Sequence, residues 1–195
     1  SQVDLIARDM GVGVHLAAEV HGDDLVPLHQ PGHHAPAQRA AGTRDTLSGE
    51  KGIERLEGQG GWTEIAGCPL ITNDDGNVAV QGLTDILAAN PDLTAFLSTG
   101  AFTQWFDNAY RNAAEPYKAE MDSGEMTIVV ADTLPMQIAQ TKDGLGNGLV
   151  GQRPYEMGYK AMFILKDIAE GKDVDDPIFT GLDVCNNENI DTCVK

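Results

Sequence analysis

Residue types that do chemistry gather at few places in this chain. The densest group is HQPGHH, residues 29–34, with His15 and His21 upstream. Neutral imidazoles two to five residues apart in a turn would chelate zinc or nickel. No cysteine or carboxylate stands at the usual ligand spacing, and loop histidines serve equally for ordinary hydrogen bonds, so no metal is expected. A metal-binding protein or hydrolase built on His29, His33 and His34 is the alternative this cluster keeps open. Asp74 and Asp75 in TNDDGN lack the alternating ligands and closing glutamate of a calcium loop and read as a solvated turn. Asp132, which follows MTIVVA, is a general base in principle, or equally the cap of a helix starting near Pro135. Gln152 and Arg153 stand directly before Pro154, a polar pair at the end of an apolar run.

The motifs of the commoner enzymes are missing from the sequence. There is no G-x-S-x-G elbow, no glycine-rich phosphate loop and no H-E-x-x-H, and GVG at 11–13 has no third glycine in register. An enzyme reading is therefore weak, and no cofactor and no catalytic residues are expected. A net charge of −17 argues against nucleic acid and against an anionic membrane surface, both of which call for basic patches. No run approaches the roughly 18 apolar residues of a membrane span. SQVDLIARDMG has no basic stretch followed by an apolar one, so it does not read as a signal peptide, which suits the mature form of an exported chain.

Three cysteines are present. Cys185 and Cys193 lie in DVCNNENIDTC, a polar, asparagine-rich loop, and the short separation makes a bridge sterically easy. Two reduced thiols are the alternative; the solvent-like surroundings favour a disulfide and hence an oxidising compartment. Cys68 is then left over, either buried or paired outside the chain.

The elements that must position these residues alternate along the sequence. Residues 10–20 carry apolar groups at helical spacing, LVPLH at 25–29 fits a buried strand, 35–47 a helix and 52–58 a strand. Residues 60–77 are rich in breakers and read as irregular. Then come a helix over 78–90, a strand at 93–100, a helix from Ala101 to Ala114 and a strand at 126–135. A short helix at 138–144, a strand at 147–152 and a long helix from Pro154 to about residue 171 follow. In that last helix Met157, Ala161, Ile164, Leu165 and Ile168 form one stripe, and Tyr155, Tyr159 and Phe163 another. A helix apolar on two sides wants two neighbours.

Strands separated by helices predict an α/β fold, a parallel sheet flanked by helices on both faces. Ligands of such sheets bind outside the carboxyl ends of the strands. Four predicted strand ends carry polar groups: His29 with the GHH turn, Ser98–Gly100, Asp132, and Gln152 with Arg153.

Four stretches in the second half have a familiar order and spacing: VAVQGLTDILAANPDLTAFLSTG, TIVVADTLPMQIAQTKDG, GLVGQRPYEMGYKAM and PIFTGLDVCNNENID. Together they resemble the type I periplasmic sugar-binding proteins, the ribose-binding-like receptors of ABC transporters. The resemblance covers about residues 78–191, and more loosely 9–47. The Lac-repressor-like regulators share this fold, but no helix-turn-helix is present here.

The resemblance implies two similar lobes closing on a small polar ligand. Residues 1–152 would be the second lobe, 153–180 a helix and crossing segment belonging to the first, and 181–195 a return segment holding the disulfide. The first lobe itself would precede Ser1 in the family, leaving a fragment or a naturally short relative. The family's ligand-facing aspartate falls on Asp132 and its glutamine on Gln152. Thr99-Gly100 stand where relatives carry Asn-Asp, and the family's arginine falls near Ala37, so that His33 or His34 would substitute. Phe102, Trp105 and Trp62 are candidates for the aromatic face of a sugar, and Arg153 either reads the ligand or pairs with Glu156 or Asp132. The implied function is capture of a monosaccharide or polyol in the periplasm for an ABC transporter permease. A sensory module presenting the same ligand to a membrane receptor is the alternative.

Overall fold

The computed structural model describes residues 14–20, 39, 40, 42, 43, 62–175 and 178–194. Among them seven strands share one sheet: β1 (Val14–Val20), β2 (Trp62–Glu64), β3 (Leu70–Ile71), β4 (Ala95–Ser98), β5 (Thr127–Ala131), β6 (Gly148–Gln152) and β7 (Leu182–Asn186). The order is β2-β1-β4-β5-β6-β7, with β3 pairing to the far end of β1. Every pairing is parallel except the last, where β7 runs antiparallel along β6 from Gly148↔Asn186 to Gln152↔Leu182. The helices α1 (Gly76–Ala89), α2 (Asp107–Ala114), α3 (Lys118–Ser123), α4 (Pro135–Lys142) and α5 (Pro154–Ala169) occupy the connections. This is the expected α/β fold, its sheet mixed at one edge.

The helical reading of residues 10–20 is wrong. Val14–Val20 forms β1, inside the sheet with β2 and β3 on one side and β4 on the other. A short apolar run carries no period that separates a buried strand from a buried helix, and backbone pairing on both sides decides it. The segment 60–77 is mostly irregular but contributes β2 and β3. The predicted helix at 101–114 divides into a 3₁₀ turn, Ala101–Gln104, and α2. The loop containing Cys185 is in part strand: Asp183 and Cys185 turn inward and Leu182 and Val184 outward, the alternation of β7. Residues 39, 40, 42 and 43 are helical, within the predicted 35–47 helix. The strands read at 25–29 and 52–58 lie outside the described residues.

The core is built from α1, α2 and the central strands. Val80, Leu83 and Leu87 follow one face of α1 and pack with Phe96 of β4, Ile128 and Val130 of β5, and Leu149 of β6. Asp75 starts α1 by accepting from the Asn77 and Val78 N–H groups at 2.8 and 3.3 Å, which holds its carboxyl below the usual range. The solvated turn expected there is a helix cap. Tyr110 of α2 is wholly buried and donates to the Leu145 carbonyl; burial pushes its phenol up. Cys185 and Cys193 form the expected disulfide, both buried against this core with Cα atoms 5.2 Å apart. Cys68, outside the bridge, is half-buried.

Candidate functional site

Because β4, β5 and β6 lie side by side and parallel, their carboxyl ends open onto one edge of the sheet. Three of the four predicted polar strand ends are thereby brought together. The fourth, with His29 and His34, lies outside the described residues, as do His33 and the metal reading built on them. Among the described residues no group of histidine, cysteine and carboxylate side chains is arranged to hold a metal ion.

Asp132 and Gln152 meet at this edge. Asp132 follows the last residue of β5 with φ at 73°, a left-handed backbone that aspartate adopts more readily than most residues. Its N–H donates to the Val150 carbonyl of β6 at 2.8 Å. Its Oδ1 accepts from Gln152 Nε2 at 3.1 Å. The capping role is not taken: α4 has Leu134 as its N-cap, and the Leu134 N–H goes to Gln137 Oε1 at 2.8 Å. Both side chains are half-buried, so each is held yet reachable from the edge. This bond uses Gln152 Nε2 and Asp132 Oδ1 and leaves Gln152 Oε1 and Asp132 Oδ2 outside the pair's own contact, two atoms able to accept from a hydroxyl-bearing ligand.

At the end of β4, Thr99 is buried and its carbonyl accepts from Arg39 Nη1 at 2.6 Å. Arg39, two residues beyond Ala37 in the helical segment, is not among the expected site residues, yet its guanidinium reaches the β4 end. Ser98 closes the same turn by donating to the Gly100 carbonyl at 2.8 Å. Phe102 is half-buried with its ring 4.7 Å from that of Trp105, which is itself half exposed. A surface cavity of about 490 Å³ lies beside Trp105, lined also by Phe106 and by residues 73–76. None of Thr99, Phe102, Asp132, Gln152 or Arg153 lines it.

Arg153 takes a different part. Its Nε donates to Asp183 Oδ1 at 2.7 Å, its Nη2 to the Leu182 carbonyl at 3.1 Å, and Glu156 sits 3.6 Å from Nη1. The bond to Asp183 holds the guanidinium above its usual value. Arg153 therefore ties the start of α5 to β7, with the predicted partner Glu156 and a second, Asp183, in place of Asp132. A side chain on Gly181 would collide with this guanidinium.

A family model described as a periplasmic binding protein domain matches residues 1–173. The chain belongs to the periplasmic binding protein family. A solute-binding protein of an ABC transporter from Agrobacterium vitis, solved with α-D-tagatopyranose, has a TM-score of 0.67 at 21% identity, covering 97% of this chain and 56% of that one. A glucose-galactose binding protein from Geobacillus stearothermophilus gives 0.64 at 24%, covering 92% and 55%. A periplasmic ribose ABC transporter protein from Conexibacter woesei gives 0.65 at 20%, covering 97% and 56%. No curated protein matches the chain at a significant level. At these identities the solved structures establish the type I fold, and this periplasmic binding protein spans little more than half their length. Among its described residues no helix is long and apolar enough to cross a membrane.

Proposed function

We propose that this periplasmic binding protein is a non-enzymatic sugar receptor that captures a monosaccharide or polyol for uptake through an ABC transporter permease in the periplasm. The observation that carries the reading is the Asp132–Gln152 pair at the joint carboxyl edge of β5 and β6. A sugar hydroxyl both donates and accepts. With one bond spent between them, the carboxylate and the carboxamide still offer two acceptor oxygens and one N–H, a match for neighbouring hydroxyls. Thr99 and Arg39 extend this polar edge at β4, and the Phe102–Trp105 pair adds an aromatic wall. The sugars bound by the solved relatives are of the same chemical class.

In this reading residues up to 152 form the ligand-holding lobe, and α5 lies against a second lobe across the cleft. The support is that none of the residues of α5 is buried although Tyr155, Met157, Tyr159, Met162, Phe163, Leu165 and Ile168 all lie along it. Arg153, tied to Asp183, then sets the crossing point between lobes, and His34 supplies a further polar contact. The disulfide accords with an oxidising compartment.

Calorimetric titration with pentoses, hexoses and polyols tests the assignment. Asp132→Ala and Gln152→Ala are each expected to weaken the best ligand by about ten- to a hundredfold, as lost hydrogen bonds to a buried ligand do. Unchanged affinity in both variants would remove these residues from the site.

A further inference from the structure

We propose that the buried Gln137 is the positioning residue of the candidate site, setting the backbone that presents Asp132. The proposal rests on the sugar-receptor reading above for its functional meaning, but its structural content stands on the Gln137 carboxamide alone. Gln137 lies in the first turn of α4 and is completely buried. Its Oε1 accepts from the Leu134 N–H at 2.8 Å, and its Nε2 donates to the Ala131 carbonyl at 2.9 Å. Ala131 closes β5 and Leu134 opens α4, so one side chain bridges both ends of the connection that contains Asp132. In a β-turn the carbonyl of the first residue would bond the N–H of the fourth directly. Here the carboxamide stands between them, and the wider path leaves Asp132 left-handed, with φ at 73°.

The other face of the connection is fixed by β6. The Asp132 N–H bonds Val150, Gln152 Nε2 bonds the Asp132 carboxylate, and a side chain on Gly151 would collide with Thr133. Gln137 carries the hold in the other direction, towards the end of β4. Its Nε2 donates to Gln104 Oε1 at 2.9 Å, and Gln104 ends the 3₁₀ turn that follows Thr99. Gln140, also buried, donates to the Gln104 carbonyl at 3.2 Å and to Asp107 Oδ1 at 2.9 Å. The loops after β4 and β5 are thus locked to each other from beneath, through amides that a ligand at the edge would not touch. Breaking the link costs buried hydrogen bonds and frees the Asp132 backbone to relax towards negative φ.

Gln137→Met keeps the length of the side chain and removes both polar ends. In ¹³C/¹⁵N NMR spectra of the whole chain, the expected result is displaced Asp132 backbone signals and a displaced Gln152 side-chain amide. Leu83→Ala is the control, since it removes core packing in α1 without touching the connection. It should lower the melting temperature while leaving those signals in place. A Gln137→Met protein that melts lower with Asp132 and Gln152 signals unmoved overturns the proposal. If Gln137→Met does not fold, Gln104→Met cuts the same link from the other side and is judged by the same signals. Where the wild type binds a monosaccharide, Gln137→Met is expected to weaken it about tenfold, and Leu83→Ala not at all. A wild type that binds no sugar counts against the receptor reading, while the NMR comparison still decides what Gln137 does.

Discussion

Helices α1 and α5 are built from similar material and meet opposite fates. Both start from a fixed N-terminus, Asp75 capping one and Pro154 opening the other. Both carry apolar residues at helical spacing. In α1 the stripe of Val80, Leu83 and Leu87 is buried on the sheet, whereas in α5 no residue is buried and Phe163 is 53% exposed. Within α5 the aromatic groups cover one another instead, Tyr159 lying 4.9 Å from Phe163 and 6.2 Å from Tyr155. The difference shows that amphipathicity records the presence of a partner surface without saying which one. For α1 that surface is the sheet; for α5 we place it on a second lobe.

Substitutions sharpen this contrast. Leu83→Ala, in the α1 core, is expected to cost about 3–5 kcal/mol and to lower Tm by roughly 6–20 °C. Thermal or denaturant unfolding would measure it, and a loss near zero would mean that α1 is not docked as described. Reduction of the Cys185–Cys193 bridge, which closes a short loop on β7, should cost about 2.5 kcal/mol, seen as a drop in Tm with reductant. The smallest effect belongs to α5. Phe163→Ser should change stability by no more than about 0.5 kcal/mol, as at an exposed position. A loss as large as that of Leu83→Ala would show α5 packed in solution, and the concentration dependence of Tm would then tell whether a second copy supplies the cover.

The readable parts of the sequence were those where pattern and burial agree. The helix expected at 78–90 is α1 at Gly76–Ala89, and the strands read at 93–100, 126–135 and 147–152 are β4, β5 and β6. Asn90-Pro91, Gly144 and Pro154 mark ends that backbone chemistry fixes locally. What was not readable depends on neighbours. Val14–Val20 is a strand because strands on both sides pair with it, and β3 is two residues long and exists only through its pairing with β1. In the site, Asp132 and Gln152 were legible as polar residues ending apolar runs. Their mutual hydrogen bond was not, since it depends on β5 and β6 being adjacent.

Arg39 lies within the helix predicted over 35–47, but its reach to the Thr99 carbonyl, 60 residues along the chain, is set by tertiary placement that the sequence does not show. Gln104, Gln137 and Gln140 were hidden by their chemistry. In a short polar stretch such as PMQIAQTK, glutamine reads as solvent-facing, and only tertiary packing reveals all three as buried.

The proposal that the carboxyl edge of β4, β5 and β6 holds a sugar is tested most sharply by an NMR titration of the chain with a monosaccharide panel, following each backbone amide. Saturable shifts centred on Thr99, Asp132 and Gln152 are the predicted result. Saturable shifts confined to residues 73–76 and Trp105, around the surface cavity, or to the exposed face of α5 would contradict it.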